Sequence, residues 1–580
     1  MYDPERITFF ARTDARGKNV PFGIKAKDRT RHVYVVGKTG MGKSTLLENM
    51  AVQDIRNGEG FAFIDPHGQT AETLLSYIPP ERIKDVLYFA PHDMDFPVSF
   101  NVMEDVGADK RHLVVSGLMS VFEKIWVDAW SARMAYILQN TLMALLEYPD
   151  ATLLGVNRML SDKVYRKKVV DNITDPSVKS FWVDEFAKYN ERYMQEAGDA
   201  IKNKIGQFTA NPLIRNIIGQ PKSSFDLRKI MDEKKIVIMN LSKGLIGETN
   251  ANLLGSMLTT RIYLAAMSRA DLSPEKMRDL PNFYFYVDEF QSFANATFAN
   301  ILSEARKYKL NLTIAHQYIE QMEEDVRNAV FGNVGTTIAF RVGPFDAEVL
   351  ETIFAPKFMA VDLVNLGFAQ IYLTLMIDGI GSTPFSAVTL PPLESQGEQY
   401  KDVIIATSRQ QFAHSRLEVE TTINNWHAPL EEDKPKSSTN KPEGKRDKDF
   451  DSVPKFERKE IIKKNDDNKK DYIQKKNTEN NTEKKNHQSE NRYNPKPVTN
   501  NSVYTEKTVE DLRAVLRRIS EADKESQSKP VTPEVSLKES INSALNSKST
   551  VSASEQSTEL NAKELERMMR VKGDDKTPLK

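Results

Sequence analysis

Nine residues, GKTGMGKST at Gly37–Thr45, set the framework for the whole chain. They follow the apolar run Val33–Val36 and precede Leu46–Met50, an order that predicts a strand, a glycine loop and a helix. In the pattern GxxxxGK[ST], glycines let backbone N–H groups surround a phosphate, the lysine reaches the β- and γ-phosphates, and the hydroxyl contacts Mg²⁺. The helix adds the positive end of its dipole. The stretch therefore predicts a site for a nucleoside triphosphate.

The residues of this loop form the predicted nucleotide site. We assign Lys43 to catalysis through the β- and γ-phosphates and Ser44 to Mg²⁺, so ATP and Mg²⁺ are the expected cofactors. A glycine turn that merely contains lysine and serine is the alternative, and the flanking strand and helix argue against it. The predicted nucleotide-binding residues are Gly37, Lys38, Thr39, Gly40, Met41, Gly42, Lys43, Ser44 and Thr45.

The composition limits the classes of function. The chain has 580 residues, with 80 Lys and Arg against 81 Asp and Glu and a net charge of −1. This balance gives no overall positive field for nucleic acid, so any DNA site is local. The absence of cysteine excludes disulfides, thiolate zinc sites and thiol nucleophiles. No apolar run reaches the roughly 18 residues of a membrane-spanning helix, so we expect a cytoplasmic protein that meets a membrane only through a partner.

The order of the predicted elements divides the chain into four parts. Strand and helix alternate in residues 1–103 and 231–427, which predicts one α/β domain with a mostly parallel sheet. Residues 104–230 predict an all-α insertion, and residues 428–580 are polar enough to predict a disordered tail. A hairpin over residues 6–25 is expected at the sheet edge, beside the first core strand. The predicted core strands are 33–36, 60–65, 236–240, 283–289, 311–317, 335–341 and 370–376, the last with 383–387 as a hairpin partner.

Amphipathic patterns mark the insertion and the tail. In the insertion, six apolar residues from Met134 to Leu146 share one helical face, and further helices are predicted near 108–126, 162–173, 176–189 and 191–208. A last helix near 408–426 closes the ordered part. In the tail, an island near 505–523 carries Val509, Leu512, Leu516 and Ile519 on one face. It predicts a short motif that folds on a protein partner.

Residues Gly60–Asp65 predict a buried strand that ends in a carboxylate, and the turn DPHG follows from it. Ligands of open α/β sheets bind at the carboxyl ends of strands, so this turn is a candidate site element. The competing reading makes Asp65 a cap of the next helix. The sequence favours neither reading.

Two adjacent acids, Asp288 and Glu289, end the strand that begins at Phe283. Downstream of a glycine loop, the first acid can hold the Mg²⁺ shell and the second can polarise a water that attacks the γ-phosphate. Gln317 ends the next strand, where it can contact the γ-phosphate or that water. An incidental acid pair at the start of a helix is the alternative. The pattern favours hydrolysis of the nucleotide over transfer of a phosphoryl group.

In this order, GKTGMGKST, FIDPHG, the helical insertion, YVDEFQSFA and SEARKYKLNLTIAHQ resemble the type IV secretion coupling proteins and the wider FtsK/HerA superfamily. The resemblance covers roughly residues 6–426 and implies a RecA-like P-loop core. It also implies that an arginine between the acid pair and the glutamine, here Arg306, enters the neighbouring subunit's ATP site. Arg306 as a solvated helix charge is the alternative, and Arg341 is a second candidate for a contact across an interface.

The resemblance implies a homohexameric ATPase that moves DNA. Coupling proteins of conjugation usually carry N-terminal transmembrane helices, and this sequence shows none, which puts a fixed place in a secretion channel in doubt. Two alternatives stay open: a HerA-like motor that feeds DNA ends to a nuclease, and a protein-secretion or pilus ATPase that does not touch DNA.

Overall fold

The computed structural model describes residues 2–14, 17–394 and 398–429. The amphipathic island near 505–523 and all but the first two residues of the predicted tail lie outside this range. The described residues belong to one compact unit, Met1–Glu443. Among them, no helix combines the length and the apolar composition that crossing a bilayer would require.

Thirteen strands form in the described residues, eleven of them in one sheet with the order β2-β1-β13-β10-β9-β3-β8-β7-β4-β6-β5. The strands β11 and β12 form a separate two-stranded ribbon. In chain order, the strands are β1 Ile7–Thr13, β2 Pro21–Lys25, β3 Val33–Val36, β4 Gly60–Asp65, β5 Val86–Phe89, β6 Ile236–Asn240, β7 Phe283–Val287, β8 Leu310–His316, β9 Thr336–Ala339, β10 Gln370–Thr374, β11 Met376–Ile377, β12 Ile380–Gly381 and β13 Phe385–Thr389.

Helices cover both faces of this sheet. In chain order, the α-helices are α1 Ala26–Arg29, α2 Lys43–Arg56, α3 Gln69–Leu75, α4 Arg111–Ile125, α5 Ala132–Glu147, α6 Leu154–Ser161, α7 Lys163–Asn172, α8 Pro176–Ser180, α9 Glu191–Thr209, α10 Pro212–Ile218, α11 Leu227–Asp232, α12 Lys243–Ile246, α13 Glu248–Met267, α14 Pro274–Asp279, α15 Ala296–Glu304, α16 Glu324–Asn333, α17 Pro344–Phe354, α18 Ala360–Val364, α19 Lys401–Phe412 and α20 Arg416–His427.

Seven neighbouring strands, β9-β3-β8-β7-β4-β6-β5, run parallel and form the centre of the sheet. Every residue of β3, β4, β6, β7 and β8 is buried, as expected for a parallel sheet covered on both faces. This confirms the predicted RecA-like α/β class and its mostly parallel sheet. The edge strand β5 was not predicted, because four apolar residues carry too short a pattern.

The hairpin predicted over residues 6–25 is confirmed as β1 and β2, but its predicted neighbour is wrong. Strand β1 pairs with β13, and β13, β10 and β9 separate it from β3. The reason is that β10 and β13 form the antiparallel extension of the sheet, and β10 pairs with β9. The hairpin therefore lies at the edge of the sheet, beyond β13.

Two apolar cores lie on opposite faces of the sheet. Along β3, Val33 and Val35 face one core, whereas Tyr34 and Val36 face the other, because side chains alternate along a strand. The helix α2 packs on the first face, and the helices α4–α11 share the second core with the sheet. No strand interrupts the described residues between β5 and β6. The domain limits at 103, 230 and 427 stay a prediction.

Within the helical stretch, the apolar face predicted from Met134 to Leu146 is buried on α5. The single last helix predicted near 408–426 is wrong, because two helices, α19 and α20, occupy this region. The break has a local cause: Ala413 is extended at φ −111° and ψ 158°, and Ser415 begins α20 with a capping box to Glu418.

Candidate functional site

The candidate site lies where the parallel strands end. The glycine loop follows β3, the turn DPHG follows β4, Asp288 and Glu289 follow β7, and Gln317 follows β8. Because the carboxyl ends of parallel strands meet at one edge, these segments converge on one cavity of about 220 Å³. Its walls are Thr39, Gly40, Gly42, Lys43, Ser44, Thr45, His67, Asp288, Glu289, His316, Gln317 and Phe368.

The glycine loop adopts the backbone that its sequence favours. Gly40 and Gly42 have φ values of 76° and 111°, in the left-handed region that glycine enters without a steric cost. Gly37 approaches β9 so closely that a Cβ there would lie 2.5 Å from the Cβ of Phe340. Lys43 Nζ donates to the carbonyl oxygens of Gly37 (2.6 Å) and Lys38 (3.1 Å). Burial lowers the pKa of Lys43, against the opposing effect of Asp288 and Glu289.

Ser44 and Asp288 stand next to each other although 244 residues separate them in the sequence. Ser44 Oγ donates to Asp288 Oδ2 over 2.8 Å. Burial raises the pKa of Asp288, and the hydrogen bond from Ser44 opposes that rise. Ser44 and Asp288 both offer oxygen atoms as metal ligands. Oxygen ligands suit Mg²⁺, an ion that uses one or two protein ligands together with phosphate oxygens and water. The described residues contain no cluster of three His, Cys, Asp or Glu side chains for a metal.

Glu289 is held between the side chains of His67 and Lys243. Its Oε1 lies 2.8 Å from His67 Nε2, and its Oε2 accepts from Lys243 Nζ at 3.1 Å. Hydrogen bonding to His67, with a further contribution from Lys243, lowers the pKa of Glu289 to about 2. The backbone is left-handed, at φ 44°, which is a strained conformation for a residue with a Cβ. The carboxylate is therefore ionised and fixed in direction.

Two lysines that were not predicted hold the segment after the acid pair. Lys243, at the start of α12, also donates to Ser292 Oγ at 3.0 Å. Lys124 of α4 donates to the carbonyl oxygens of Gln291 (2.7 Å) and Ala294. Burial lowers the pKa of Lys124 to about 8. Lys124 thereby ties α4 to the segment that follows Glu289, a link that no sequence pattern indicated.

The turn DPHG fits both interpretations that the sequence allowed, Asp65 as a helix cap and His67 as part of the site. The buried Asp65 accepts from the backbone N–H groups of His67 (2.8 Å) and Ala71 (2.9 Å). It therefore secures the start of α3, as the capping interpretation predicts. His67 reaches the site itself through Glu289. The signal for His67 was its position just after a strand that borders β7.

Gln317 lines the same cavity as His67. Its Nε2 donates to Thr39 Oγ1 over 2.6 Å, so it contacts the glycine loop directly. The preceding residue, His316, is buried, with Nδ1 3.3 Å from the hydroxyl of Tyr34. Burial lowers the pKa of His316 to about 3, and Lys43 and Lys124 contribute. His316 is thus a neutral imidazole in the cavity wall.

Arg306 does not lie in this cavity. It is exposed in the turn Ala305–Tyr308 that precedes β8, whereas Gln317 follows the same strand. Burial lowers the pKa of His32, which directly precedes β3, to about 4, and the charge of Arg306 contributes. Arg341 follows β9 at the site edge, and its carbonyl oxygen accepts from Lys38 N at 2.8 Å. Within one subunit, the structure therefore places Arg341, and not Arg306, beside the glycine loop.

Comparison with protein families gives two matches. Residues 13–262 match the model of the helicase HerA central domain, and residues 282–353 match the model described as the TraM recognition site of TraD and TraG. Comparison with curated protein sequences gives no match.

Similar solved structures include the bacterial conjugative coupling protein TrwBdeltaN70, at 15% identity and a TM-score of 0.47, covering 68% of this chain and 90% of that one. TrwB with ADP and Mg²⁺ matches at 14% identity and 0.48, with the same coverage of 68% and 90%. VirB4 of Thermoanaerobacter pseudethanolicus matches at 14% and 0.44, covering 69% of this chain and 99% of that one.

The family matches agree with the site. The HerA model spans the glycine loop and the turn DPHG, and the second model spans Asp288, Glu289 and Gln317. The two matched segments are thus the ones that carry the predicted motifs. They confirm the resemblance to the type IV secretion coupling proteins and the FtsK/HerA superfamily that those motifs indicate.

Proposed function

We propose that this chain binds ATP with Mg²⁺ in the cavity at the carboxyl ends of β3, β4, β7 and β8 and hydrolyses it. The observation that carries the proposal is the hydrogen bond between Ser44 and Asp288. It brings the hydroxyl of the glycine loop and the carboxylate of β7 to one point, with Lys43, Glu289 and Gln317 in the same cavity wall.

Each side chain has a distinct task in this proposal. Ser44 and Asp288 would hold Mg²⁺, which when bound neutralises charge on the phosphate oxygens. Lys43 exchanges its bonds to backbone carbonyls for bonds to the β- and γ-phosphates. Glu289 orients and polarises the attacking water; a carboxylate with a pKa of about 2 is a weak proton acceptor at neutral pH, so its charge and direction matter more than its basicity. Gln317 contacts the γ-phosphate or the attacking water.

We further propose that the chain works as a homohexameric ring that moves DNA. The match to the HerA model supports a motor of this class. An arginine at the far edge of the sheet can reach ATP only on a neighbouring subunit, so the role proposed for Arg306 requires an assembly such as a ring. The match to the TraM recognition model supports a protein partner, and the predicted island near 505–523 is the segment we propose for its recruitment. We place this motor in the cytoplasm, at a membrane only through such a partner.

The decisive experiment measures ATP turnover of the full chain with duplex DNA, with single-stranded DNA and without DNA, together with the mass of the particle in a non-hydrolysable ATP analogue. We expect a hexamer whose turnover rises with DNA. Stimulation by duplex ends in the presence of a nuclease would favour the HerA-like alternative. An ATP turnover rate that is the same with and without DNA would favour a protein-secretion or pilus ATPase and would reject the DNA motor.

Lys43→Ala is the control for the site itself. The substitution removes the ammonium that contacts the phosphates, so turnover should be lost in every condition. Any activity that survives Lys43→Ala would come from a contaminating ATPase or from a different site.

A further inference from the structure

One aromatic ring in the cavity wall has no task in hydrolysis. Phe368 lines the same cavity as Lys43, Ser44 and Glu289, yet it is 73% exposed. Within the described part of the chain, its ring stacks on no other ring and faces no cation. An exposed ring at the rim of a ligand cavity is a surface for a planar ligand group.

The turn that carries Phe368 is fixed in place. Gln370 N donates to the carbonyl of Gly367 at 3.3 Å, and the Gln370 side chain accepts from Gly367 N at 2.8 Å. The carbonyl of Ala369 accepts from Thr389 N at 2.9 Å, which ties the turn to β13. Ala369 has a φ of 60°, an unfavourable conformation for alanine. Strain of this kind persists only where surrounding bonds enforce it and is concentrated at ligand sites.

The sheet order places this ring on the side of the glycine loop that the acids leave free. Across the edge the order is β10, β9, β3, β8 and β7, and Phe368 lies two residues before the start of β10. Strand β10 is antiparallel to β9, so its amino end lies at the carboxyl edge of the parallel strands. With neighbouring strands about 4.8 Å apart, Phe368 lies about 10 Å to one side of β3, and Asp288 and Glu289 lie about 10 Å to the other.

This arrangement sets the direction that a nucleotide in the proposed site would take. The γ-phosphate belongs next to Glu289 and Gln317, on the β7 and β8 side of the loop. The remainder of the molecule must therefore extend towards β9 and β10. The base is the only planar aromatic group of a nucleotide, and this direction would place it beside the exposed ring of Phe368.

We propose that Phe368 is the platform on which the base of a bound purine nucleoside triphosphate stacks. The inference rests on the proposed nucleotide site. Every base has an aromatic face, so stacking tolerates all of them and favours the larger purines. On this side of the loop, the described cavity wall has no Asn, Gln, Asp or Glu to read a base edge. The site consequently distinguishes purines from pyrimidines better than adenine from guanine.

The test compares ligands that have a base with one that lacks it. Dissociation constants of ATP, GTP, CTP and inorganic tripolyphosphate, each with Mg²⁺, are measured by calorimetry for the full chain and for Phe368→Ala. We expect ATP and GTP to bind about 5- to 100-fold more weakly to the variant, CTP to lose less, and tripolyphosphate to bind as before. Phe368→Trp should retain the affinity for ATP and GTP.

Phe345→Ala is the matched control. Phe345 is 74% exposed in the first turn of α17, which also begins at this edge, but it does not line the cavity. Its removal should leave all four dissociation constants unchanged, which separates stacking in the cavity from a general loss of exposed apolar surface.

Three results would overturn the inference. ATP affinity equal in Phe368→Ala and the parent would show that the ring does not touch the base. An equal loss for ATP and tripolyphosphate would show that Phe368 shapes the glycine loop instead. Unchanged ATP affinity of Phe368→Ala together with a smaller particle mass would show that the Phe368 side chain is a contact between subunits. If the parent bound neither ATP nor tripolyphosphate, the proposed function itself would fail.

Discussion

Replacement of Arg306 by alanine tests whether two subunits build one active site. Strand β8 has seven residues, which at about 3.3 Å per residue separate Arg306 from Gln317 by about 23 Å. A side chain cannot span this distance, so Arg306 has no access to the ATP of its own subunit. Arg306→Ala should bind ATP with the parent's affinity and hydrolyse it about 10³- to 10⁵-fold more slowly, as when an arginine finger is removed from other NTPases.

The assay mixes subunits. An Arg306→Ala chain keeps its own pocket, whereas a Lys43→Ala chain keeps the arginine, so mixed rings should regain partial ATP turnover where an intact pocket meets an intact arginine. Arg306→Lys should restore little, because lysine lacks the planar fork of donors. Lys307→Ala is the matched control: this neighbouring lysine is exposed and pairs with Glu304, at 3.4 Å, and its loss should leave turnover unchanged.

The reasoning is refuted if mixtures that demonstrably co-assemble stay as inactive as either variant, with ATP binding by Arg306→Ala established. Turnover per subunit that stays constant over concentrations at which the parent particle dissociates would argue the same way. Arg341, beside Lys38 of its own loop, would then be the next arginine to replace.

Three further predictions concern the groups around the site. Glu289→Gln should bind ATP and fail to hydrolyse it, so nucleotide should co-purify; turnover near the parent rate would reject Glu289 as the residue that orients water. The hydrogen bond to Glu289 raises the pKa of His67, so the stability that His67 adds is complete below its unfolded pKa of about 6.5 and is lost as the pH rises through the higher folded value. Thermal unfolding should show His67→Gln less stable than the parent near pH 6 and equal to it near pH 9, and a pH-independent difference would contradict this. Asp54→Asn should lower the free energy of unfolding by about 3 to 5 kcal/mol, because it leaves the fully buried guanidinium of Arg29, 2.7 Å from the carboxylate, without a counter-charge. Replacing both residues by apolar ones should recover most of the lost unfolding temperature. A double variant that is no more stable than Asp54→Asn would refute the charge argument.

The class of the fold and the parts of the site that lie within single strands and loops could be predicted from the sequence. Strands such as β3 and β4 were predicted with the correct limits because each is an unbroken apolar run ending in a marked turn. Glycine, lysine and serine at fixed spacing specify a phosphate loop because the spacing itself sets which backbone groups and side chains meet the phosphate. The acids after β7 and the glutamine after β8 followed from their place at strand ends.

Contacts between distant segments were decided only by the tertiary structure. The clamp of His67 and Lys243 on Glu289, and the link from Lys124 to the turn after it, join residues whose separation in the chain carries no pattern. The order of the outer strands also depended on contacts between distant segments. Because β10 pairs with β9, the predicted hairpin does not lie beside β3. Local sequence specifies periodicity and turns, whereas strand order and side-chain pairing depend on which apolar faces and buried charges satisfy one another once the whole sheet has formed.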